Sequence, residues 1–225
     1  MISFLLFLML CTPSLARTTE TPVRAIVSGQ EVMIEPYDIS FSLPVSWLEW
    51  QKKRHNNIHS SSRELRRVRD GEGEWDFQYS QVVNTLLPYN KCVLHAGGEG
   101  WGRESVAFSD LQVRVYLGDF NIEQIENDVK TRGLSIAQKL GKNVEVTVDQ
   151  LAGWPRVSLT YDLSFGDYGG KARIDFCVRR VNDVSTLFVL MYCSDLSSQQ
   201  IEEGKSILLS VQPSGSYAGD GAQQA

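Results

Sequence analysis

The sequence predicts an α+β protein, an antiparallel sheet sandwiched by helices, and three observations carry this prediction. Polar and apolar residues alternate from Arg156 to Phe165, which is the two-residue period of a strand. Further strand patterns follow after short turns, as in an antiparallel meander. Helical patterns stand before and after this run of strands and not between them. That segregation is typical of an α+β domain.

The first predicted elements are a hairpin and a third strand. Strand patterns at 23–28 and 31–35 flank Gly29-Gln30, a dipeptide suited to a tight hairpin turn. A third alternation runs from Ile39 to Leu43. It ends at Pro44, because proline cannot donate a hydrogen bond to a central ladder.

Two helices and a strand are predicted in the next part of the chain. Apolar residues recur at helical spacing before Pro88; they are Tyr79, Val82, Val83, Leu86 and Leu87. Strict alternation then predicts a strand from Leu111 to Leu117. Asn121 followed by Gln124 is the pattern of a capping box, so a helix is expected to begin there and to end at Gly141. Its predicted buried residues are Ile122, Ile125, Val129, Ile136 and Leu140.

The second half of the chain is predicted to form four strands and a closing helix. The strands cover 144–148, 156–165, 172–178 and 187–192. The last of these is apolar throughout, which predicts a strand that is covered on both faces. A helix beginning at Ser197 is expected to bury Ile201, Leu208 and Val211.

A two-residue turn at Asn182-Asp183 fixes the register of the last hairpin. Cys177 is then opposite Phe188, and Cys193 is opposite Ala172. The two cysteines are separated along the ladder by on the order of 16 Å. Cysteines that form a disulfide keep their Cα atoms within about 7 Å. We therefore predict that Cys177 and Cys193 do not pair, so that any bridge uses Cys92.

Several of these features resemble the PsbP-like superfamily. They are the stretch from Ile39 to Pro44 followed by Trp47, the Gly153-Trp154-Pro155 entry to a long strand, the double hairpin, and a last helix ending near Val211. That family includes the extrinsic PsbP subunit of photosystem II, a fungal Ran-binding transport factor and secreted bacterial relatives. The resemblance implies a binding or assembly module, in which residues 49–107 are a basic insertion.

Residues 1–16 have the pattern of a secretory signal peptide. The apolar run 4–11 is too short to cross a bilayer, and small residues allow cleavage after Ala16. A lipid anchor at Cys11 is the alternative. We expect a secreted or periplasmic protein with no transmembrane segment in the mature chain. The predicted divisions are a signal peptide (1–16), a spacer (17–22), a single domain (23–212) and a disordered tail (213–225).

The net charge of −5 argues against nucleic-acid binding, yet the basic residues are concentrated in one place. Residues 52–69 hold seven basic residues and one acidic residue, a net charge of +6, so the remainder carries −11. We predict that this segment binds an anionic macromolecule or an envelope protein, the alternative being a solvated loop. The predicted binding residues are Arg63, Arg66, Arg67 and Arg69, with Trp101 and Arg103 as a second surface.

Motifs for a reaction are weak in this sequence. The glycine-rich loop 97–104 lacks the Lys-Ser/Thr pair of a phosphate loop. Cys92 and His95 suggest a hydrolase beside that loop, but residues three apart on a regular strand point to opposite faces. His55 and His59 lie in polar sequence that does not favour a helix. We therefore predict a non-catalytic binding module without metal or cofactor. The alternatives are that hydrolase and a small-ligand carrier that uses the crevice between sheet and helices.

Overall fold

In the described part of the chain, two antiparallel sheets, one of four strands and one of seven, form the framework. The computed structural model describes residues 23–45, 47, 58–59, 82–83, 85–87, 92–97, 108–165, 168–193 and 198–213. The strands are β1 (Arg24–Ser28), β2 (Glu31–Glu35), β3 (Ile39–Ser42), β4 (Ile58–His59), β5 (Cys92–Gly97), β6 (Phe108–Leu117), β7 (Gly141–Leu151), β8 (Trp154–Phe165), β9 (Tyr168–Val181), β10 (Val184–Cys193) and β11 (Gln212–Pro213). The helices are α1 (Ile122–Asp128), α2 (Leu134–Leu140) and α3 (Ser198–Ser210). The predicted α+β class is confirmed.

The small sheet has the strand order β1-β2-β3-β11. The predicted hairpin joins β1 to β2, with Ser28 opposite Glu31. Gly29 has a φ of 64°, a conformation that glycine adopts without steric cost, and this explains why the turn forms there. β11 follows α3 and pairs with β3, so the last described residues form an edge strand of this sheet.

The large sheet has the order β4-β5-β6-β10-β9-β8-β7. Its last four strands follow one another along the chain as the predicted meander. The predicted register of the last hairpin is confirmed, since Cys177 is opposite Phe188 and Cys193 is opposite Ala172. Cys177 is a free thiol. The prediction that these two cysteines do not pair therefore agrees with the register.

The helix that precedes β7 begins at the predicted capping box. The Asn121 side chain accepts a hydrogen bond from the Gln124 backbone, and the Gln124 side chain accepts one from the Asn121 backbone. A π-helical turn at Val129–Gly133 separates α1 from α2. The wider turn shifts the buried face by one residue, so that Ala137 is fully buried where Ile136 was expected.

Each face of the large sheet packs against a different layer. One face meets the small sheet and α3, in a core that includes Val113, Phe188 and Leu208. The other face meets α1, α2 and the helical residues 82–83 and 85–86, in a second core that includes Leu187 and Val189. Alternate residues of β10 thus belong to different cores, which confirms that this strand is covered on both faces.

Part of the segment predicted as an insertion belongs to these layers. β5 is buried along its whole length and pairs with β6, while Val82, Val83 and Leu86 contribute to the helix-side core. Among the described residues, the helices are too short or too polar to span a membrane.

Candidate functional site

A row of polar side chains lies on the helix-side face of β5 and β6. Its members, called here the polar row, are Cys92, His95, Asp110, Gln112 and Arg114. Gln112 is opposite Val189 and Arg114 is opposite Leu187, and both partners belong to the helix-side core. Because directly opposite residues share a face of a sheet, the polar row faces the helices. The row is buried, with His95 the most exposed member at 8%.

A bulge in β5 brings Cys92 and His95 onto this one face. Cys92 is opposite Arg114 and His95 is opposite Gln112, with a register shift between Cys92 and Leu94. Val93 and Leu94 both point into the core on the other side of the sheet. A bulge inserts one extra residue and so changes the parity of the strand. The expectation that Cys92 and His95 point to opposite faces is therefore wrong.

The His95 imidazole and the Asp110 carboxylate are in direct contact in the buried row. The His95 Nε2 and Asp110 Oδ1 atoms are 2.6 Å apart, and the two side chains are 10% and 7% exposed. Asp110 comes from β6, one strand away, so the pair ties β5 to its neighbour. A carboxylate held against an imidazole fixes the orientation of the ring. The contact therefore fixes the orientation of the His95 ring at one end of the polar row.

Arg114 lies at the other end of the polar row. It is fully buried, and none of its three guanidinium nitrogens has a hydrogen-bond partner within the described residues. The Tyr116 hydroxyl, on the same face of β6, is buried and without a partner there as well. Burial raises the pKa of Tyr116 to about 12, so this hydroxyl keeps its proton at neutral pH. Its ring stacks on Phe120 with centroids 3.9 Å apart.

The Cys92 thiol is held as a neutral group. Burial raises the pKa of Cys92, although the Arg114 guanidinium acts in the opposite direction, and the thiol donates a hydrogen bond to the Leu94 carbonyl. The thiolate is the nucleophilic form of cysteine. Cys92 is therefore poorly suited to attack a substrate at neutral pH, even though His95 shares its face.

A second polar cluster lies on the opposite face of the large sheet. The Arg156 guanidinium donates two hydrogen bonds to Asp149, at 2.6 and 2.5 Å, and one to Asp175 at 3.3 Å. Asp175 also accepts hydrogen bonds from Ser158 and Arg173. The hydrogen bonds from Arg156 hold the pKa of Asp149 below its ordinary value. Every charge in this cluster has a partner, so we assign it a structural role.

The binding residues predicted from the sequence lie outside the described residues. They are Arg63, Arg66, Arg67, Arg69, Trp101 and Arg103. The same holds for His55 and for residues 98–104 of the glycine loop, whereas His59 belongs to β4, opposite His95. Their proposed role therefore stays a prediction.

Sequence reasoning missed Asp110, Gln112 and Arg114 as members of a site. In the predicted strand from Leu111 to Leu117, Gln112 and Arg114 lie on the polar side of the alternation, and such a side normally faces solvent. One signal was available, since helix patterns at 79–87 and 121–140 offered enough apolar surface to cover a second face of the sheet.

The burial of the Cys92 and Cys177 thiols predicts slow alkylation of these two residues in the native protein. Burial raises the pKa of Cys177 as it does that of Cys92. We expect iodoacetamide at pH 7.5 to modify these two residues at least about tenfold more slowly in the folded protein than in denaturant. Peptide mapping after timed labelling measures each site separately. Rapid modification of native Cys92 would show that its thiol is open to solvent and activated.

Comparisons with known proteins identify no family for this chain. No protein-family model and no curated protein matches the chain. A crystal structure from Bacteroides thetaiotaomicron VPI-5482 is similar at 7% identity and a TM-score of 0.39, covering 84% of this chain and 48% of the other, so the chain spans about half of it. The structure of LpqN, involved in cell envelope biogenesis of Mycobacterium tuberculosis, is similar at 9% identity and a TM-score of 0.38, covering 85% and 90%. Scores this low do not establish a common fold, and the PsbP-like resemblance stays a prediction.

Proposed function

We propose that this chain is an exported, non-catalytic binding module of the PsbP-like type, which contacts an anionic macromolecule through residues 52–69. The observation that supports a non-catalytic role is the burial of the polar row. Cys92 and His95 are 6% and 8% exposed, so a substrate in solvent does not reach them without a rearrangement of the covering layer. The thiol, in addition, is neutral.

The charge distribution supports the choice of partner. The segment 52–69 carries a net charge of +6 in a chain whose net charge is −5. A concentrated positive charge raises the rate of encounter with an anionic surface, and salt screens it over a Debye length of about 8 Å. A polyanion of the cell envelope, such as an acidic polysaccharide or anionic lipid headgroups, has the required chemistry.

The test is a substitution of Arg63, Arg66, Arg67 and Arg69 by glutamine. Because the attraction is electrostatic, we expect the variant to elute from a heparin column and from anionic liposomes at a lower salt concentration than the parent. The control replaces Lys130, Lys139, Lys142 and Lys171 by glutamine, which changes the net charge equally in another part of the chain. These four lysines are exposed.

The salt concentrations at which the two variants elute show whether residues 52–69 form the contact. A loss of retention confined to the arginine variant supports a localised contact. Equal behaviour of both variants and the parent, or retention that does not weaken as salt rises, contradicts the proposal and leaves 52–69 as a solvated loop.

A hydrolase is the second candidate function, because the bulge places Cys92, His95 and Asp110 on one face. A cysteine beside an imidazole that is oriented by a carboxylate is the arrangement used in nucleophilic catalysis. Cys92→Ser tests it against a panel of ester and amide substrates. An activity that is lost in Cys92→Ser and kept in Cys177→Ser would establish the hydrolase and overturn the non-catalytic role.

A further inference from the structure

We propose that Arg114 binds the anionic group of a small molecule, a carboxylate or a phosphate, in the crevice between the large sheet and its covering helices. This inference goes beyond the proposed contact at 52–69, because it concerns a different part of the molecule and a small ligand. A protein that carries such a ligand would be a binding module with an enclosed site.

The Arg114 side chain carries a buried positive charge. It is fully buried, and among the described residues its Nε and both terminal nitrogens lack a hydrogen-bond partner. A buried guanidinium without a counter-charge is strongly unfavourable, so folded proteins pair such groups or coordinate an ion with them. The geometry of Arg114 therefore calls for an anion.

The neighbouring groups do not supply that anion. Asp110 is already paired with His95, and it lies four residues along β6 from Arg114, about 13 Å at the rise of a strand. Cys92 is directly opposite Arg114, but its thiol is protonated at neutral pH because of burial. The positive charge of Arg114 thus stays uncompensated within the described part of the chain.

The surroundings of Arg114 suit a small oxyanion. The planar guanidinium offers a fork of N–H donors that matches a carboxylate or a phosphate. The Tyr116 hydroxyl is a further donor on the same face, protonated and likewise without a partner among the described residues. The helix-side core lies beside the row, with Leu187 opposite Arg114, and it provides apolar contacts for the rest of an organic acid.

The burial of Arg114 also selects the size of the ligand. Because its side chain is fully covered, a group on the surface of a macromolecule does not reach it, and a small molecule reaches it only when the covering layer opens, as at Cys92 and His95. We therefore assign the site to a free small anion, and the two possible chemistries are separated by the probes below.

The test measures thermal unfolding of the full mature chain in inorganic phosphate and, separately, in succinate, each from 0.1 to about 10 mM at constant ionic strength. Ligand that binds only the folded state raises the melting temperature, by about 5 °C or more at a hundredfold excess over Kd. A rise in phosphate alone identifies a phosphate-type ligand, and a rise in succinate identifies a carboxylate.

Two variants connect the effect to the site. Arg114→Met removes the charge at similar volume and is expected to weaken anion binding at least about tenfold, while unfolding at the same or a higher temperature without anion. Tyr116→Phe removes one hydroxyl and keeps the stack on Phe120, and it is expected to weaken binding by a smaller factor. Arg180→Met, at an exposed arginine, is the control and should respond to anions as the parent does.

Three results would overturn the inference. The parent protein shows no concentration-dependent rise in either probe, or parent and Arg114→Met respond alike, as expected for a general salt effect. The third is an Arg114→Met variant that melts far below the parent without anion, because the guanidinium would then be satisfied by the chain itself. None of these results bears on the arginine segment 52–69, so the two proposals stand or fall separately.

Discussion

Replacing Trp154 by alanine is expected to lower the free energy of unfolding by about 4 kcal/mol, the largest effect that we predict for a single residue. The Trp154 side chain is 1% exposed and packs edge-to-face on Phe188, with ring centroids 5.2 Å apart. Its indole N–H donates to the Leu208 carbonyl at 3.2 Å, which ties β8 to α3. The substitution therefore leaves both a cavity and a carbonyl that has lost its donor.

Equilibrium denaturation in urea measures this effect, with the transition followed by far-ultraviolet circular dichroism. Trp154→Phe keeps much of the ring and removes the N–H, so it should cost about 1–2 kcal/mol, between parent and alanine variant. Val148→Ala, at a residue of β7 that is 48% exposed, is the control and should be nearly neutral. A Trp154→Ala variant as stable as this control would mean that the two layers do not meet at this residue.

The second large effect is expected for Asp175→Asn, which should destabilise the protein by about 3 kcal/mol. Asp175 is 1% exposed and accepts hydrogen bonds from Arg156, Arg173 and Ser158. The asparagine has nearly the same volume, so little of the effect comes from packing. Its main consequence is that Arg173 loses the carboxylate partner that it has among the described residues, while Arg156 keeps Asp149.

The matched control for this variant is Asp119→Asn, which removes an ion pair of the same kind at the surface. Asp119 and Arg180 are 95% and 59% exposed, and exposed pairs add little to stability. We expect no measurable change in the urea midpoint for this control. If Asp175→Asn were equally silent, the buried cluster would make no net contribution and its role would have to be sought elsewhere.

Local sequence patterns predicted the elements and the register well. The capping box at Asn121 and the hairpin turn at Gly29 each depend on residues that are close in the chain, and both formed as expected. The opposition of Cys177 and Phe188 followed from a turn of known length. In each case the physics is local, because one hydrogen bond or one turn fixes the geometry.

The features that sequence patterns missed depend on contacts between distant parts of the chain. β11 pairs with β3 across more than 160 residues, and no local pattern announces that the first strands form a separate sheet. The alternation correctly predicted which residues of β6 share a face. It did not predict that the face carrying Arg114 is buried. The π-helical turn shifts the buried face of its helix by one residue, and the bulge shifts the faces of β5 in the same way. Neither shift leaves a mark in the amino-acid composition, so the sequence patterns did not predict them.

The extra residue in β5 also changes what a search for related sites has to look for. On a straight strand, a cysteine and a histidine separated by a single residue share a face, whereas here two residues, Val93 and Leu94, stand between Cys92 and His95. A chain one residue shorter at this point would keep the same pair opposite the same residues of β6. Proteins that share this constellation would therefore carry it as Cys-x-His or as Cys-x-x-His, and an alignment that allows gaps only in loops would place the two histidines in different columns.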